Sequence, residues 1–238
     1  MEFMELWRGG PRMVKESCAY PVGADSVLLA DFAAAGRGVR LLDMGCGSGL
    51  IALLLLWREA TLTADGIELD PAAAAEARAN AAANGLAERF RVMTGDVRAL
   101  HERDTGGRYD VAVANPPYFA ADSGEKPADP ARRRARSEEG CTLEELAAAA
   151  ARLVKNGGRF CFVYRPERLA EALAVMRAHR LEPKRLRLVH DTVSAAPSAA
   201  LIECRLGGGT GLAVEPPLVM KDADGAMTAE ARRIYHRE

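Results

Sequence analysis

Short apolar runs alternate with longer stretches of helical spacing along most of the chain. The runs have the length and residue types of buried strands, and the stretches between them have the apolar repeat of helices. The segments predicted as strands are, in chain order, GVRLLDMG, TLTADGIELD, RFRVMTGD, YDVAVANPPY, RFCFVY, KRLRLVH and AALIECRL. Strands that alternate with helices indicate a mainly parallel sheet with helices on both faces.

The last two predicted strands have no helical pattern between them, so they can pair as a hairpin. The sequence therefore predicts an α/β fold with a seven-stranded doubly wound sheet, mostly parallel with the last strand antiparallel. We expect one domain over residues 1–238, in which residues 1–24 border the ligand and substrate side and residues 119–140 form a loop on the substrate side. Residues 1–24 are predicted to be irregular, and residues 119–140 to form a polar loop.

Helix ends carry recognisable signals. Asp25 or Ser26 is expected to cap the first helix, ADSVLLADFAAA. Pro71 fits the first turn of the predicted helix PAAAAEARANAAANG, and the Asn-Gly pair at the end of this segment marks the end of the helix. Thr142 and Glu145 form a possible capping box for the helix LEELAAAAARLVK, which is expected to end at residues 156–158.

Composition narrows the class of protein without naming a function. The chain is 49% hydrophobic and 27% charged, with a formal net charge of −1. Five cysteines without a C-x-x-C pair argue against a disulfide framework, and four scattered histidines lack metal-ligand spacing. The start, MEFMELWRGG, does not read as a signal sequence, and LIALLLLW is too short to span a bilayer. We expect a cytoplasmic protein without a metal or a membrane partner.

Candidate chemistry gathers where the predicted strands end, because open α/β sheets bind ligands beyond the carboxyl ends of their strands. Gly45, Gly47 and Gly49 follow the first strand with G-x-G-x-G spacing. Leu50 stands where a dinucleotide fingerprint has its third glycine, and a P-loop lysine is absent. The loop fits a compact amino-acid-plus-nucleoside ligand, and the alternative is a plain strand-to-helix turn.

Two carboxylates end the next two strands. Glu68 can accept both hydroxyl groups of a ribose, and the alternative is a solvated strand end. Asp96 can accept a hydrogen bond from the exocyclic amine of adenine, and it can also cap a short helix that starts at Val97.

Together, DMGCGSG, GIELD and GDV resemble the motifs of Rossmann-like methyltransferases that use S-adenosylmethionine. The resemblance covers the chain from about Asp25 to the last strand. It implies S-adenosylmethionine as the cofactor, with Cys46 only a small residue of the loop. The cofactor contacts that it implies are Asp25, Asp43, Gly45, Cys46, Gly47, Gly49, Glu68, Asp96, Val97 and Asn115.

The fourth strand ends in Asn115-Pro116-Pro117-Tyr118, which is similar to the N-P-P-Y tetrad of methyltransferases that act on conjugated amino nitrogens. The exocyclic nitrogen of adenine is a poor nucleophile because its lone pair is delocalised. The Asn115 side-chain oxygen and the Pro116 carbonyl can accept its N–H bonds and stabilise developing positive charge. Pro117 stiffens the turn, and Tyr118 can stack on the base. The alternative is a proline-rich turn.

YPVGADSVLLADF and the segment ARRRARSEEGCTLEELAAAAARLVKNGGRF resemble the bacterial tRNA (adenine-N6)-methyltransferase family. That resemblance implies methylation of adenine N6 in RNA, most directly tRNA beside the anticodon. Alternatives are guanine N2 in rRNA, release-factor glutamine N5, which the short region before the glycine motif disfavours, and a nucleotide-binding module without catalysis. The run Arg132 to Arg136 could contact phosphates or form a solvated face.

Overall fold

The computed structural model describes residues 1–15, 23–116 and 141–236. The strands in these ranges are β1 (Phe3–Glu5), β2 (Arg12–Val14), β3 (Arg40–Met44), β4 (Thr63–Glu68), β5 (Phe90–Thr94), β6 (Tyr109–Ala114), β7 (Val154–Tyr164), β8 (Leu181–His190), β9 (Pro197–Leu206), β10 (Ala213–Val214) and β11 (Leu218–Val219). The helices are α1 (Ala24–Ala33), α2 (Leu50–Arg58), α3 (Pro71–Ala83), α4 (Glu102–Thr105), α5 (Leu143–Leu153), α6 (Leu169–Ala178) and α7 (Ala229–Ile234).

One large sheet dominates the fold, with the strand order β10-β8-β9-β7-β6-β3-β4-β5 and β11 also paired with β8. The strands β7, β6, β3, β4 and β5 run parallel, and β9 lies antiparallel between β7 and β8. The seven predicted strands and the antiparallel last member are confirmed. The two-residue strands β10 and β11 extend the sheet along β8 and are too short to leave a hydrophobic pattern.

Helices cover both faces of the sheet. One apolar core contains residues of α1, α2, α3 and α7, and the other contains residues of α5 and α6. Side chains of alternate residues on the central strands enter opposite cores, so Val113 lies in the first core and Ala112 and Ala114 in the second. This alternation sends Asn115, the next residue after β6, toward the α1 side.

Some local predictions were wrong. Within residues 1–15 the chain forms the β1–β2 hairpin rather than irregular structure, with Met13 buried in the first core. The N-cap of α1 is Gly23, without a side-chain cap, so neither Asp25 nor Ser26 has that role. Residues 156–158 lie inside β7, because α5 ends at Leu153 and the chain extends directly into the strand. The capping box of Thr142 and Glu145 is confirmed.

Candidate active site

Four parallel strands bring the predicted site residues to one edge of the sheet. Asp43 of β3 pairs with Val113 of β6, so the glycine loop and Asn115 both begin two residues beyond this pair. On the other side of β3, Glu68 ends β4 opposite Thr94 of β5. Neighbouring strands lie about 4.8 Å apart. The edge therefore has the glycine loop at its centre, flanked by acidic residues on one side and Asn115 on the other.

The glycine loop exposes its backbone. Gly45, Gly47 and Gly49 have φ angles of 71°, 54° and 82°, which L side chains rarely adopt. The N–H groups of Gly45 and Cys46 donate to the carbonyl of Ile67, at 2.9 and 3.1 Å, and tie the loop to β4. A Cβ atom on Gly45 would have no atom of the described chain within 4 Å. A ligand can therefore approach the main chain closely at this point.

Glu68 joins the glycine loop to the start of α3. One carboxylate oxygen accepts the Gly47 N–H at 2.8 Å, and the other accepts the Asp70 N–H at 2.9 Å. A carboxylate has about four lone-pair positions, so these two bonds leave acceptor capacity for hydroxyl groups. The side chain is half-buried at the strand end. Its position and remaining capacity fit the predicted recognition of a ribose.

Asp43 lies beneath the loop and is fully buried. Its Oδ2 accepts the Ala52 N–H at 3.1 Å, which supports the first turn of α2, and its Oδ1 has no hydrogen-bond partner among the described residues. Burial raises the pKa of Asp43 to about 7, against the lowering effect of the Ala52 bond and with a further increase from the Glu68 charge. In this structure Asp43 supports the loop from below, and its predicted contact with the cofactor stays a prediction.

Asp96 has one of its two predicted roles in the structure, that of a cap, and its role as an acceptor for adenine stays a prediction. Its side chain accepts the Arg98 N–H at 2.8 Å as the cap of a short 3-10 turn, and it also pairs with the Arg98 guanidinium. The bonds from Arg98 hold the pKa of Asp96 below its usual range, so the carboxylate is ionised at neutral pH. Val97 is half-buried beside it. An ionised carboxylate at this strand end remains a suitable acceptor for an adenine amine.

Asn115 contacts the first turn of α1. Its Nδ2 donates to the Ser26 hydroxyl at 2.9 Å, so the nitrogen of the amide faces α1 and the oxygen is turned away from it. Pro116 follows, half-buried at the same edge. Pro117, Tyr118 and the run Arg132 to Arg136 lie outside the described residues. The structure therefore presents the first two residues of the predicted tetrad, at the end of the strand that neighbours β3 and its glycine loop.

The two remaining predicted contacts differ in character. Asp25 is half-buried in the first turn of α1, one residue from the Ser26–Asn115 bond, and burial raises its pKa. Cys46 is 8% exposed, and burial raises the pKa of its thiol well above the ordinary value. A protonated, enclosed thiol fits the interpretation of Cys46 as a small residue of the loop.

Sequence reasoning did not assign two residues of this edge. Ser26 was considered only as a helix cap, although its hydroxyl meets Asn115. Leu69 is 56% exposed between the carboxylates of Glu68 and Asp70, and a large apolar side chain at a ligand edge can pack on a flat base. The signal for Leu69 was an apolar residue placed between two acidic ones just after a strand.

The described residues contain no cluster of His, Cys, Asp or Glu that could hold a metal ion. No helix within the same ranges has the length and hydrophobicity needed to cross a bilayer. A cleft of about 520 Å³ lies at the far end of α1 and α2. The carboxylate of Asp31, which lines this cleft, forms ion pairs with both Arg58 and Arg233.

Comparison with known proteins agrees with this arrangement. The model of the methyltransferase small domain family matches residues 22–180. A tRNA1(Val) (adenine(37)-N6)-methyltransferase of Cronobacter sakazakii is 41% identical over 67% of this chain and 64% of its own length, just under two thirds. The protein of the same name from Serratia proteamaculans is 35% identical over 92% of this chain and 83% of its length.

A solved structure supports the fold independently. The crystal structure of a predicted O-methyltransferase from Agrobacterium tumefaciens superimposes with a TM-score of 0.73 and covers 89% of this chain and 95% of that one. At 21% identity, this likeness concerns the fold alone. The family comparison confirms the resemblance to methyltransferases that we predicted from the glycine motif and the acidic strand ends. The chain belongs to the methyltransferase small domain family, and within it to the family of the bacterial tRNA1(Val) (adenine(37)-N6)-methyltransferases.

Proposed function

We propose that this protein methylates the exocyclic N6 amino group of an adenine in tRNA, with S-adenosylmethionine as the cofactor. The cofactor supplies a methyl group on a positively charged sulfur. In the transfer, the N6 lone pair forms the new N–C bond, the electron pair of the S–C bond stays on sulfur, and N6 loses one proton to solvent. S-adenosylhomocysteine and N6-methyladenine are the products.

The chain's own residues supply binding and orientation in this proposal. The exposed backbone at Gly45 and the remaining acceptor capacity of Glu68 fit an amino acid joined to a ribose. Asp96 and Leu69 fit the adenine ring beyond it. The ionised carboxylate of Asp96 at this edge also favours a ligand with net positive charge.

The observation that carries the proposal is the position and orientation of Asn115. It follows β6, the neighbour of β3, and its amide nitrogen is engaged by Ser26. The amide oxygen lies at the end turned away from α1, and an amide oxygen is a group that accepts an N–H bond from an amine. Such an acceptor aims the lone pair at the methyl group and stabilises the charge that grows on nitrogen, without the need for a strong base.

We infer the substrate from the names of the relatives. The Cronobacter and Serratia proteins are both named for adenine 37 of tRNA1(Val). The range that the family model matches, residues 22–180, contains the glycine loop and Asn115. We infer that the substrate is an unpaired adenine next to a tRNA anticodon. A base in a stacked loop must leave the stack to reach the edge of the sheet, which costs a few kcal/mol.

The test is incubation of the purified protein with labelled S-adenosylmethionine and total RNA from a strain that lacks the gene, followed by nucleoside mass spectrometry. N6-methyladenosine in the tRNA fraction is the expected product. Methylated guanosine in rRNA would contradict the proposal, and so would labelled release factor in a parallel peptide assay. Binding of S-adenosylhomocysteine without methylation of any RNA would favour a nucleotide-binding module.

A further inference from the structure

The β1–β2 hairpin is attached to α3 through two asparagines one helical turn apart. Asn84 accepts the Arg12 N–H and donates to the Arg12 carbonyl, both at 2.7 Å. Asn80 accepts the Val14 N–H at 2.8 Å. Two residues of a strand advance about 6.8 Å, and four residues of a helix advance about 6 Å. The two asparagine side chains therefore have nearly the same spacing as Arg12 and Val14. They bond to the backbone groups of these residues as a neighbouring strand would.

Asn80 makes a second bond that Asn84 lacks. Its Nδ2 donates to the carbonyl of Ser48, between Gly47 and Gly49 of the glycine loop, at 2.9 Å. The side chain is 1% exposed, so both bonds are shielded from water and their loss would leave buried groups unpaired. One planar amide thus fixes the hairpin on one side and the glycine loop on the other.

The Ser48 carbonyl belongs to a loop whose other peptide groups are also held. The Gly47 N–H donates to Glu68, and the Gly49 N–H donates to the Cys46 carbonyl at 2.8 Å. The Ser48 carbonyl and the Gly49 N–H belong to one peptide group, so Asn80 and the Cys46 carbonyl hold this group from its two sides. One orientation of the planar amide serves both partners, so the bond to β2 favours the orientation that also binds Ser48.

We infer that Asn80 couples docking of the β1–β2 hairpin to the conformation of the cofactor loop, which makes it a positioning residue for cofactor binding. This inference rests on the proposed function only in that the glycine loop binds S-adenosylmethionine. A cofactor that favours the ordered loop strengthens docking of the hairpin, and a docked hairpin raises cofactor affinity by the same factor, because coupling between two sites is reciprocal.

The test combines hydrogen exchange of the Arg12 and Val14 amides with calorimetric titration of S-adenosylhomocysteine into the full chain. In the unaltered protein, the ligand is expected to slow exchange at both amides by about tenfold. Asn80→Ala is expected to raise the Kd by about tenfold and to abolish the response of the hairpin. Buried Met13 keeps the hairpin on the core in this variant.

Asn84→Ala is the matched variant, because the Asn84 side chain bonds to Arg12 and to the backbone carbonyl of Asn80 and makes no hydrogen bond to the loop among the described residues. Coupling predicts a rise in Kd of about threefold in the native background and none in the Asn80→Ala background. A loosened hairpin with unchanged Kd, or an equal rise in both backgrounds, would overturn the inference. Absence of ligand binding by the unaltered protein would contradict the cofactor assignment as well, whereas normal binding without slower hairpin exchange would contradict the coupling alone.

Discussion

The Ser26 hydroxyl and the Asn115 amide nitrogen lie 2.9 Å apart, which joins the first turn of α1 to the end of β6. The two residues are 89 positions apart in the chain. Their bond fixes the direction of the one side chain to which we assign the orientation of the substrate amine. The orientation of Asn115 therefore depends on the packing of α1 as well as on its own strand.

Ser26→Ala is expected to lower kcat for RNA methylation by about tenfold, since Asn115 loses the partner that orients it. Affinity for S-adenosylhomocysteine should stay unchanged, because Ser26 makes no hydrogen bond to the glycine loop within the part of the chain that the structure describes. Steady-state kinetics with titration of the ligand checks both statements. Ser26→Thr keeps the hydroxyl and should retain activity, and a full kcat in Ser26→Ala would contradict the role.

Two glycines of the loop should respond differently to substitution by alanine. Both have left-handed φ angles, which cost a side chain about 1–2 kcal/mol. A Cβ on Gly49 would also lie 2.8 Å from the Phe90 ring, whereas one on Gly45 meets open space. Thermal unfolding should therefore show the larger loss of Tm in Gly49→Ala.

Gly45→Ala should instead lose affinity for S-adenosylhomocysteine by more than its loss of stability explains, because its new methyl group occupies the approach to the backbone. Thermal unfolding with and without the ligand separates the two effects. A native Kd in Gly45→Ala would show that the ligand does not approach this part of the loop.

Glu68→Gln tests the ribose carboxylate. In the native protein, Glu68 accepts hydrogen bonds from the backbone N–H groups of Gly47 and Asp70. A glutamine has only one side-chain oxygen, so its NH2 group would face one of these two N–H groups. We expect the Kd for S-adenosylhomocysteine to rise at least about tenfold. Glu88→Gln, at an exposed site after α3, is the matched control and should bind normally. Equal affinities of the two variants would argue against the assignment.

Asp43 should make the stability of the protein depend on pH. Its native pKa of about 7 lies above its ordinary value of 3.8, so the folded state holds a proton that the unfolded state loses between these values. The contribution of Asp43 to the free energy of unfolding is thus fully present below pH 4 and decreases as the pH rises through 7. A shift of this size corresponds to about 4 kcal/mol at pH 8.

Asp43→Asn removes this titration. Relative to the unaltered protein, the variant should gain stability as the pH rises from 4 to 8, measured by urea unfolding at several pH values. A difference between the two proteins that is constant with pH would contradict the elevated pKa. Other groups titrate alike in both proteins and cancel in the comparison.

The sequence was sufficient to place the glycine loop, Glu68, Asp96 and Asn115 at one edge. Parallel strands must end on the same side, so residues that follow them converge whatever the details of packing. The same reasoning gave the antiparallel position of β9, because the short connection between β8 and β9 allows only a hairpin. These features depend on order along the chain, which the sequence contains directly.

Features that depend on tertiary contacts were not predictable in the same way. Strand β1 is exposed along its whole length, so it has no apolar alternation to detect. Asn80 and Asn84 resemble ordinary polar residues at the end of an alanine-rich helix until β2 is seen beside them. The signal that was available was the four-residue spacing of two asparagines on one helical face.

The most direct test of the central claim is Asn115→Ala, assayed for N6-methyladenosine in tRNA and for S-adenosylhomocysteine affinity. Asn156→Ala, at the opposite end of the sheet, serves as the control. We predict that Asn115→Ala forms N6-methyladenosine at least about 100-fold more slowly, whereas its Kd for the ligand rises far less, because the glycine loop and Glu68 are unaltered. Methylation at the native rate by Asn115→Ala would contradict the account.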